Sequence, residues 1–409
     1  MEYKLGKVST FYDSLHKTPK NYNIYGYPMV RVKDISTGFL DLSSCFNVSE
    51  DDYLEFSKKY KPQSGDIIIT RVGTYGNIAL VTNDKRFCLG QNTVILNVDK
   101  KIIDNKYLFY YLTSSMGQQQ IESKVTGSTQ KTISLKSLKE INIIRHNFYK
   151  EKQIGDLLYK IDNKINNNKQ IIANLEELSQ TLFKRWFVDF EFPDENGNPY
   201  KSNGGEMVDS ELGEIPKEWS IKTLNDISES YNTKRKPLSK LEREKVTSIY
   251  PYYGATKIID YVDDYLFDGK FILVGEDGTV QTEEGHPFVQ YVWGKFWVSN
   301  HAHILKGNNL SDETLMLILN NIDIEPYITG AVQPKISKKN LNGIKVIIGT
   351  KLIYEKFDQY SDIYYKKIRE ISEEIKNLIE LRDTLLPKLM SGEMEIPDDI
   401  EVNEDELSI

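Results

Sequence analysis

Two mixed α/β domains separated by two long helices, with the helices pairing as an antiparallel coiled coil, are predicted by this sequence: an α+β architecture with a pseudo-two-fold internal repeat. Three observations predict it. The 409 residues suit two or three domains at roughly 100 to 200 residues each. Sliding the chain against itself by 203 residues aligns two long stretches without a gap, the mark of an internal repeat. In each half a divergent domain is followed by apolar residues in alternating three- and four-residue steps, the seam of a coiled coil.

The repeat is read from matched residues. Thr126, Gly127, Gln130, Ile133, Ser134, Lys136, Leu138, Ile141 and Ile144 fall on Thr329, Gly330, Gln333, Ile336, Ser337, Lys339, Leu341, Ile344 and Ile347, and Leu175 to Leu182 falls on Leu378 to Leu385. Upstream the match loosens: Gly65 to Ile69 pairs with Gly269 to Leu273, and Gln91 to Leu96 with Asn300 to Leu305. The division that follows is a first domain at 1–148, a first long helix at 149–190, a linker at 191–211, a second domain at 212–350, a second long helix at 351–392 and an acidic tail at 393–409.

Within the domains, Asp66 to Val72 and Lys270 to Val274 are buried-strand candidates, each leading into a glycine-bearing loop, and Asn105 to Ser115 and Asp312 to Asn321 suggest one helix per domain. The first seam runs through Ile154, Leu158, Ile161, Ile165, Ile172, Leu175 and Leu182, interrupted by Asn168 and Ser179. The second uses Phe357, Tyr364, Ile368, Ile371, Ile375, Leu378 and Leu385, interrupted by Ser361 and Arg382. A helix of about 38 residues spans roughly 57 Å. Antiparallel pairing follows from connectivity, because the second domain leaves the first helix near Phe187 and enters the second near Ile353. The first helix gives way to the turn-rich Pro193 to Pro199, and the second is expected to stop over Pro387 to Gly392.

Charge is unevenly shared. The formal net charge is -8, but the eight acids from Glu393 to Glu406 stand in a stretch without one basic residue, which reads as a solvated, disordered tail. Residues 1–150 carry 21 Lys and Arg against 14 Asp and Glu, a basic domain able to meet a polyanion. No run approaches the roughly 18 apolar residues of a membrane span, and the polar start lacks a signal-peptide pattern, so a cytoplasmic location without membrane contact is expected. Cys45 and Cys88 are expected as small buried hydrophobes.

Leu212 to Trp219 (LGEIPKEW), Phe183 to Phe190 (FKRWFVDF), Leu385 to Glu393 (LLPKLMSGE) and the duplicated Thr-Gly-x-x-Gln resemble signature stretches of the DNA specificity subunits of type I restriction-modification systems. The resemblance runs from Lys4 to Glu395 and rests on order and duplication more than on any one motif. It implies two target recognition domains separated by the paired helices, and a bipartite asymmetric DNA target with one half-site per domain. The implied partners are two methylation subunits and restriction (translocase-nuclease) subunits. S-adenosylmethionine, ATP and Mg are expected on those partners, with no cofactor on this chain. The sequence departs from the pattern at its start, which lacks the Leu-Gly-Glu-Ile-Pro stretch that opens the second half.

Enzymatic readings lack parts: there is no phosphate loop, no glycine-rich cofactor turn opening a helix, and no Asn-Pro-Pro-Tyr stretch. A remnant of a fused methyltransferase-nuclease is therefore the weaker alternative, as is a coiled-coil tether whose domains bind protein. His301 and His303 put two imidazoles on one strand face, too few for a zinc site. No catalytic residue and no metal ligand is expected.

For DNA contact the candidates follow side-chain chemistry, since Arg and Lys read guanine, Asn and Gln read adenine, and hydroxyls or amides hold phosphate. They are Arg71, Tyr75, Gln91, Asn92, Gln130 and Lys131 in the first domain. In the second they are Lys234, Arg235, Lys236, Tyr253, Asn300, His301, Gln333 and Lys335. The turn shared by both domains is assigned to backbone or packing, the divergent loops to bases.

Overall fold

The computed structural model describes residues 2–127, 131–330 and 332–397, and the chain divides into two compact units. One comprises 1–169 with 373–409, the other 170–372, so each long helix contributes to both. Among the described residues no helix is long and apolar enough to cross a membrane.

In the first unit the run Ile67–Thr70 is the middle strand of a five-stranded sheet ordered Ser9–Asp13, Thr93–Val98, Ile67–Thr70, Ile78–Leu80, Gly38–Phe39. Its β-branched residues are buried on both faces, which is why the run is continuously apolar. Ile67 and Ile69 face one core with Tyr107, Leu108 and Ile154, while Ile68 faces another with Val30, Leu40 and Phe87. A three-stranded sheet joins Tyr27–Val30 to Asn47–Val48 and, in parallel, to Cys88–Leu89. Both cysteines are buried free thiols, pushed up in pKa by that burial.

The second unit follows a related plan. Phe271–Gly275 sits between Ala302–Gly307 and Val289–Val292 in a four-stranded sheet edged by Ser228–Ser230. A second four-stranded sheet holds Tyr250–Tyr253 parallel to Lys295–Val298. Here Ile272 and Val274 face one core and Leu273 the other.

The chain start matches an internal segment of the second half. Glu2–Lys4 pairs with Asn142–Ile144, and Ser220–Thr223 pairs with Lys345–Ile348. A short helix follows in each case, Leu5–Val8 or Leu224–Ile227, tied by Leu5 N–H to the Ile141 carbonyl and by Leu224 N–H to the Ile344 carbonyl, both at 2.8 Å. Leu212 to Trp219 lies ahead of this match as the hairpin Met207–Ser210 with Gly213–Pro216, whose Trp219 packs against Phe187, Phe190 and Phe192.

The first long helix is α-helical over Phe148–Phe183 and closes in a π turn, Lys184–Val188; the second runs Lys351–Ser391. Within each unit the two long helices share a hydrophobic core. In the first, Ile154 and Leu158 share a core with Leu389 and Met390; in the second, Phe183, Trp186 and Phe187 share one with Ile353, Tyr354 and Phe357. Two of the polar interruptions meet charged partners: Asn168 Nδ2 donates to Glu374 at 2.8 Å, and Arg382 donates to Asp162 at 2.7 Å, where Asp162 also accepts from Tyr110.

Three expectations change. Tyr365 rather than Tyr364 is the buried tyrosine of the second seam, at 3% exposure. Helix Asn105–Thr113 is followed at once by a second, Ser115–Glu122, because Ser114 caps the new helix by accepting from Gly117 N–H. The second long helix passes through Pro387 and stops only at Gly392, whose φ of +78° suits glycine. Proline forfeits one backbone bond, and the burial of Leu389 and Met390 against the first core holds the last turn in place.

Candidate nucleic-acid interface

The two divergent domains carry one turn in the same backbone setting. In the first, Gly90 N–H donates to the Val30 carbonyl at 2.8 Å, and Arg71 N–H donates to the Asn92 carbonyl at 2.9 Å. In the second, Ser299 N–H donates to the Tyr253 carbonyl at 2.9 Å, and Glu276 N–H donates to the His301 carbonyl at 2.8 Å. Gln91-Asn92 and Asn300-His301 therefore occupy equivalent positions, each between a strand in a parallel pair and the strand that enters the main sheet. Asn92 adopts φ +64°, a left-handed conformation that asparagine tolerates.

Beside this turn stands the duplicated hairpin. Thr126 and Thr132 exchange both backbone bonds at 2.9 and 2.8 Å, and Thr329 and Lys335 do so at 2.8 Å. The glycine of the motif is required at Gly330, where φ is +91° and a Cβ would lie 2.4 Å from the Gln333 carbonyl oxygen. A serine-capped helix follows each hairpin, with Ser134 accepting from Ser137 N–H and Ser337 from Asn340 N–H. Gln130 lies outside the described residues; Gln333 is exposed.

In the first domain the arginine read as a base contact is an internal tie. Arg71 is 13% exposed, meets both carboxylate oxygens of Asp13 at 2.7 and 2.8 Å, and donates Nε–H to the Ile133 carbonyl. Lys131 and Tyr75 form an exposed group with Glu122: Tyr75 donates to Glu122 at 2.6 Å, and Lys131 donates to both. Gln91 and Asn92 border a cleft of about 470 Å³ lined also by Lys17, Tyr22, Arg31 and Lys33. Sequence reasoning missed those four. A signal was available, because the twenty residues from Ser14 to Lys33 hold four Lys and Arg and no Asp or Glu.

In the second domain Arg235 is likewise internal. It donates to Glu276 at 2.6 Å and to the carbonyls of Ala302 and Asn300 at 2.8 and 3.1 Å. Burial alone would raise the Glu276 pKa; Arg235, with Lys335 at 3.3 Å, outweighs burial and holds the carboxyl below its ordinary value. Lys234 and Lys236 are exposed, Lys234 lying over the Tyr231 ring, and Tyr253 is half-buried against Phe296. The two histidines separate. His301 is exposed and donates Nδ1–H to Asp277 at 2.5 Å. His303 is 1% exposed; its Nε2–H donates to the Ile336 carbonyl while Nδ1 accepts from Asn232, a neutral imidazole whose burial lowers its pKa. Among the described residues no group of three or more His, Cys, Asp or Glu side chains is arranged to hold a metal ion.

A family model for the type I restriction modification DNA specificity domain matches residues 1–177 and 216–380. The chain is 25% identical over 369 residues to the type I restriction enzyme MjaIX specificity subunit of Methanocaldococcus jannaschii, spanning 86% of this chain and 82% of that one. Over 132 residues it is 36% identical to a putative type I restriction enzyme specificity subunit of Haemophilus influenzae, 32% of this chain and 33% of the relative. Among solved structures, the S subunit of a type I restriction-modification system from M. genitalium shares the fold with a TM-score of 0.61 at 20% identity, covering 95% of each chain. With the family model matched across most of both halves, this chain belongs to the type I restriction-modification DNA specificity family.

Proposed function

We propose that this chain is the non-catalytic DNA-reading and assembly subunit of a type I restriction-modification complex. It reads a bipartite, asymmetric target, one half-site per domain, and works in the cytoplasm. The observation that carries this reading is the recurrence of one polar turn, Gln91-Asn92 and Asn300-His301, in an equivalent backbone setting in two domains that otherwise diverge. Amide and imidazole groups on divergent loops suit base edges, and lysines on the shared hairpin suit phosphates. The antiparallel coiled coil and the pseudo-two-fold repeat are supported by the matched hairpins and caps and by the helix contacts inside each unit.

In this reading two modification subunits and the restriction subunits dock on the chain. The modification subunits bring adenosylmethionine and flip the target base, and the restriction subunits bring ATP and magnesium. The test is methylation by reconstitution. The chain alone should methylate no DNA, and adding the cognate modification subunit should give activity on one bipartite sequence, read by methylome sequencing. Activity from the isolated chain would overturn the non-catalytic assignment. Fluorescence anisotropy of the assembled complex on DNA at rising salt separates DNA reading from a protein-binding tether, because phosphate contacts make affinity fall with salt.

A further inference from the structure

The loop between Ser9–Asp13 and Tyr27–Val30 carries the most exposed pair of large apolar neighbours in the first domain, Ile24 at 85% and Tyr25 at 87% exposure. The loop is pinned. Asn23 N–H donates to the Asn47 carbonyl at 2.8 Å, and Asn47 Nδ2 donates back to the Ile24 carbonyl at 2.8 Å. Gly26 follows at φ +139°, pressed so close to the Val48 carbonyl oxygen that a Cβ would lie 2.2 Å away. Tyr22 packs on Phe46 at 5.1 Å, and the Arg31 guanidinium, fixed by Asp34, covers the Phe46 ring at 4.1 Å. Two apolar side chains are thus held out into solvent by a braced backbone, a costly display for a surface without a partner.

The surroundings indicate the partner. The segment from Ser14 to Lys33 contains Lys17, Lys20, Arg31 and Lys33 and no carboxylate, in a domain with a net positive charge; Lys17 pairs with Glu55 and Arg31 with Asp34, while Lys33 lies over the Phe46 ring. Tyr22 also lines the cleft bordered by Gln91 and Asn92, so the apolar tip stands two residues from the wall of the proposed base-reading face. The equivalent connection in the second domain, between Ser228–Ser230 and Tyr250–Tyr253, also exposes an apolar side chain, Leu241 at 69%, although there Lys240 pairs with Glu244 and Arg243 with Asp260. Exposed apolar side chains on a basic segment are what proteins push between base steps, where the rings or branched chains replace lost stacking and nearby cations hold the flanking phosphates.

We propose that Ile24 and Tyr25 form an apolar wedge that enters a base step bordering the first half-site and opens the duplex there. The wedge rests on the DNA-reading assignment above and adds a deformation of the DNA to it. The test uses the chain assembled with its modification subunits, without adenosylmethionine, on duplexes carrying 2-aminopurine at each step flanking the first half-site and away from the methylated adenine. The wild-type complex should raise fluorescence several-fold at one bordering step. The double variant Ile24→Ser with Tyr25→Ser should lose that rise and bind roughly tenfold more weakly, while Tyr25→Phe keeps both. A double variant with unchanged fluorescence and affinity would remove the wedge and leave the DNA-reading assignment intact. A double variant that no longer co-elutes with the modification subunits would make the patch a protein interface and overturn the wedge. Absence of sequence-specific binding by the wild-type complex would overturn both.

Discussion

Arg71 and Glu276 hold the same backbone station with opposite charge. Each carbonyl accepts from the isoleucine after the duplicated hairpin, Ile133 N–H at 3.0 Å and Ile336 N–H at 2.9 Å, and each N–H reaches the equivalent turn residue, Asn92 or His301. The backbone is shared while the side-chain pairing is reversed. Arg71 meets Asp13 at the end of the strand Ser9–Asp13, and Glu276 meets Arg235. The same reversal occurs two residues past the caps of the domain helices, where Lys106 pairs with Asp156 and Glu313 with Arg369, each on a long helix.

Because Arg71 is held internally, Arg71→Met should cost stability without changing the bases that are read. Its two charge-assisted bonds go to a mostly buried Asp13, so their loss should destabilise the fold by about 1.5–3 kcal/mol. Chemical unfolding measures the first effect and methylome sequencing the second. A changed base preference would return Arg71 to the reading face.

Glu313 should be among the costliest charges to remove. Its side chain is fully buried and bonds to Lys270 at 2.8 Å, Tyr291 at 2.6 Å and Arg369 at 3.1 Å; burial would raise its pKa, but Lys270 and Tyr291 keep it lowered. Glu313→Gln leaves two cations facing a neutral amide. Lys270 is partly solvated, which places the expected loss near the lower end for a broken buried pair, about 3 kcal/mol by denaturant titration.

His303 should make stability fall on acidification earlier than carboxylates do. Its folded pKa lies below the ordinary 6.5, so above 6.5 both folded and unfolded forms are neutral and stability is whole. As pH drops from 6.5 toward the lowered folded value, only the unfolded chain gains the proton, and stability declines by at most about 1.4 kcal/mol per pH unit. His303→Gln should flatten this part of the profile, just below pH 6.5, relative to wild type. An identical slope in the variant would assign the effect to another group.

The repeat was legible where the two halves keep one spacing, from Thr126 and Thr329 through the serine caps to the long helices. It faded upstream because connections of unequal length shift the register. Asp104 matches Ser311 as a helix cap, Asn92 matches His301 at the turn, and Leu5 matches Leu224 at the first helix, each at a different separation. Candidate residue types were legible too, but not their partners. The bond between Arg71 and Asp13 joins residues 58 positions apart, and the one between Arg235 and Glu276 joins residues 41 apart, so an arginine beside a loop looked free when it was tied. Pro387 misled for a similar reason: the local rule for proline gave way to burial of Leu389 and Met390 by residues far away in sequence.

The sharpest separation of base readers from phosphate holders compares the equivalent turns with the equivalent hairpins. Gln91 and Asn300 sit at matching positions in divergent loops, so Gln91→Ala should relax base preference in one half-site only and Asn300→Ala in the other. Losing a bidentate amide contact removes about 1–3 kcal/mol of discrimination at one base pair, read as enrichment of other bases there in methylation of a randomised target library. Lys131 and Lys335 lie on the hairpin that both domains share, and a shared element has no reason to encode two different sequences. Lys131→Ala and Lys335→Ala should therefore weaken binding on all targets alike and reduce the slope of log affinity against log salt by about one each. Both lysines also face carboxylates, Glu122 and Glu276, so the drop in slope shows whether DNA phosphate displaces those partners on binding. An unchanged salt slope would leave the two lysines as internal ties, and a relaxed base preference would move the hairpin into the reading class.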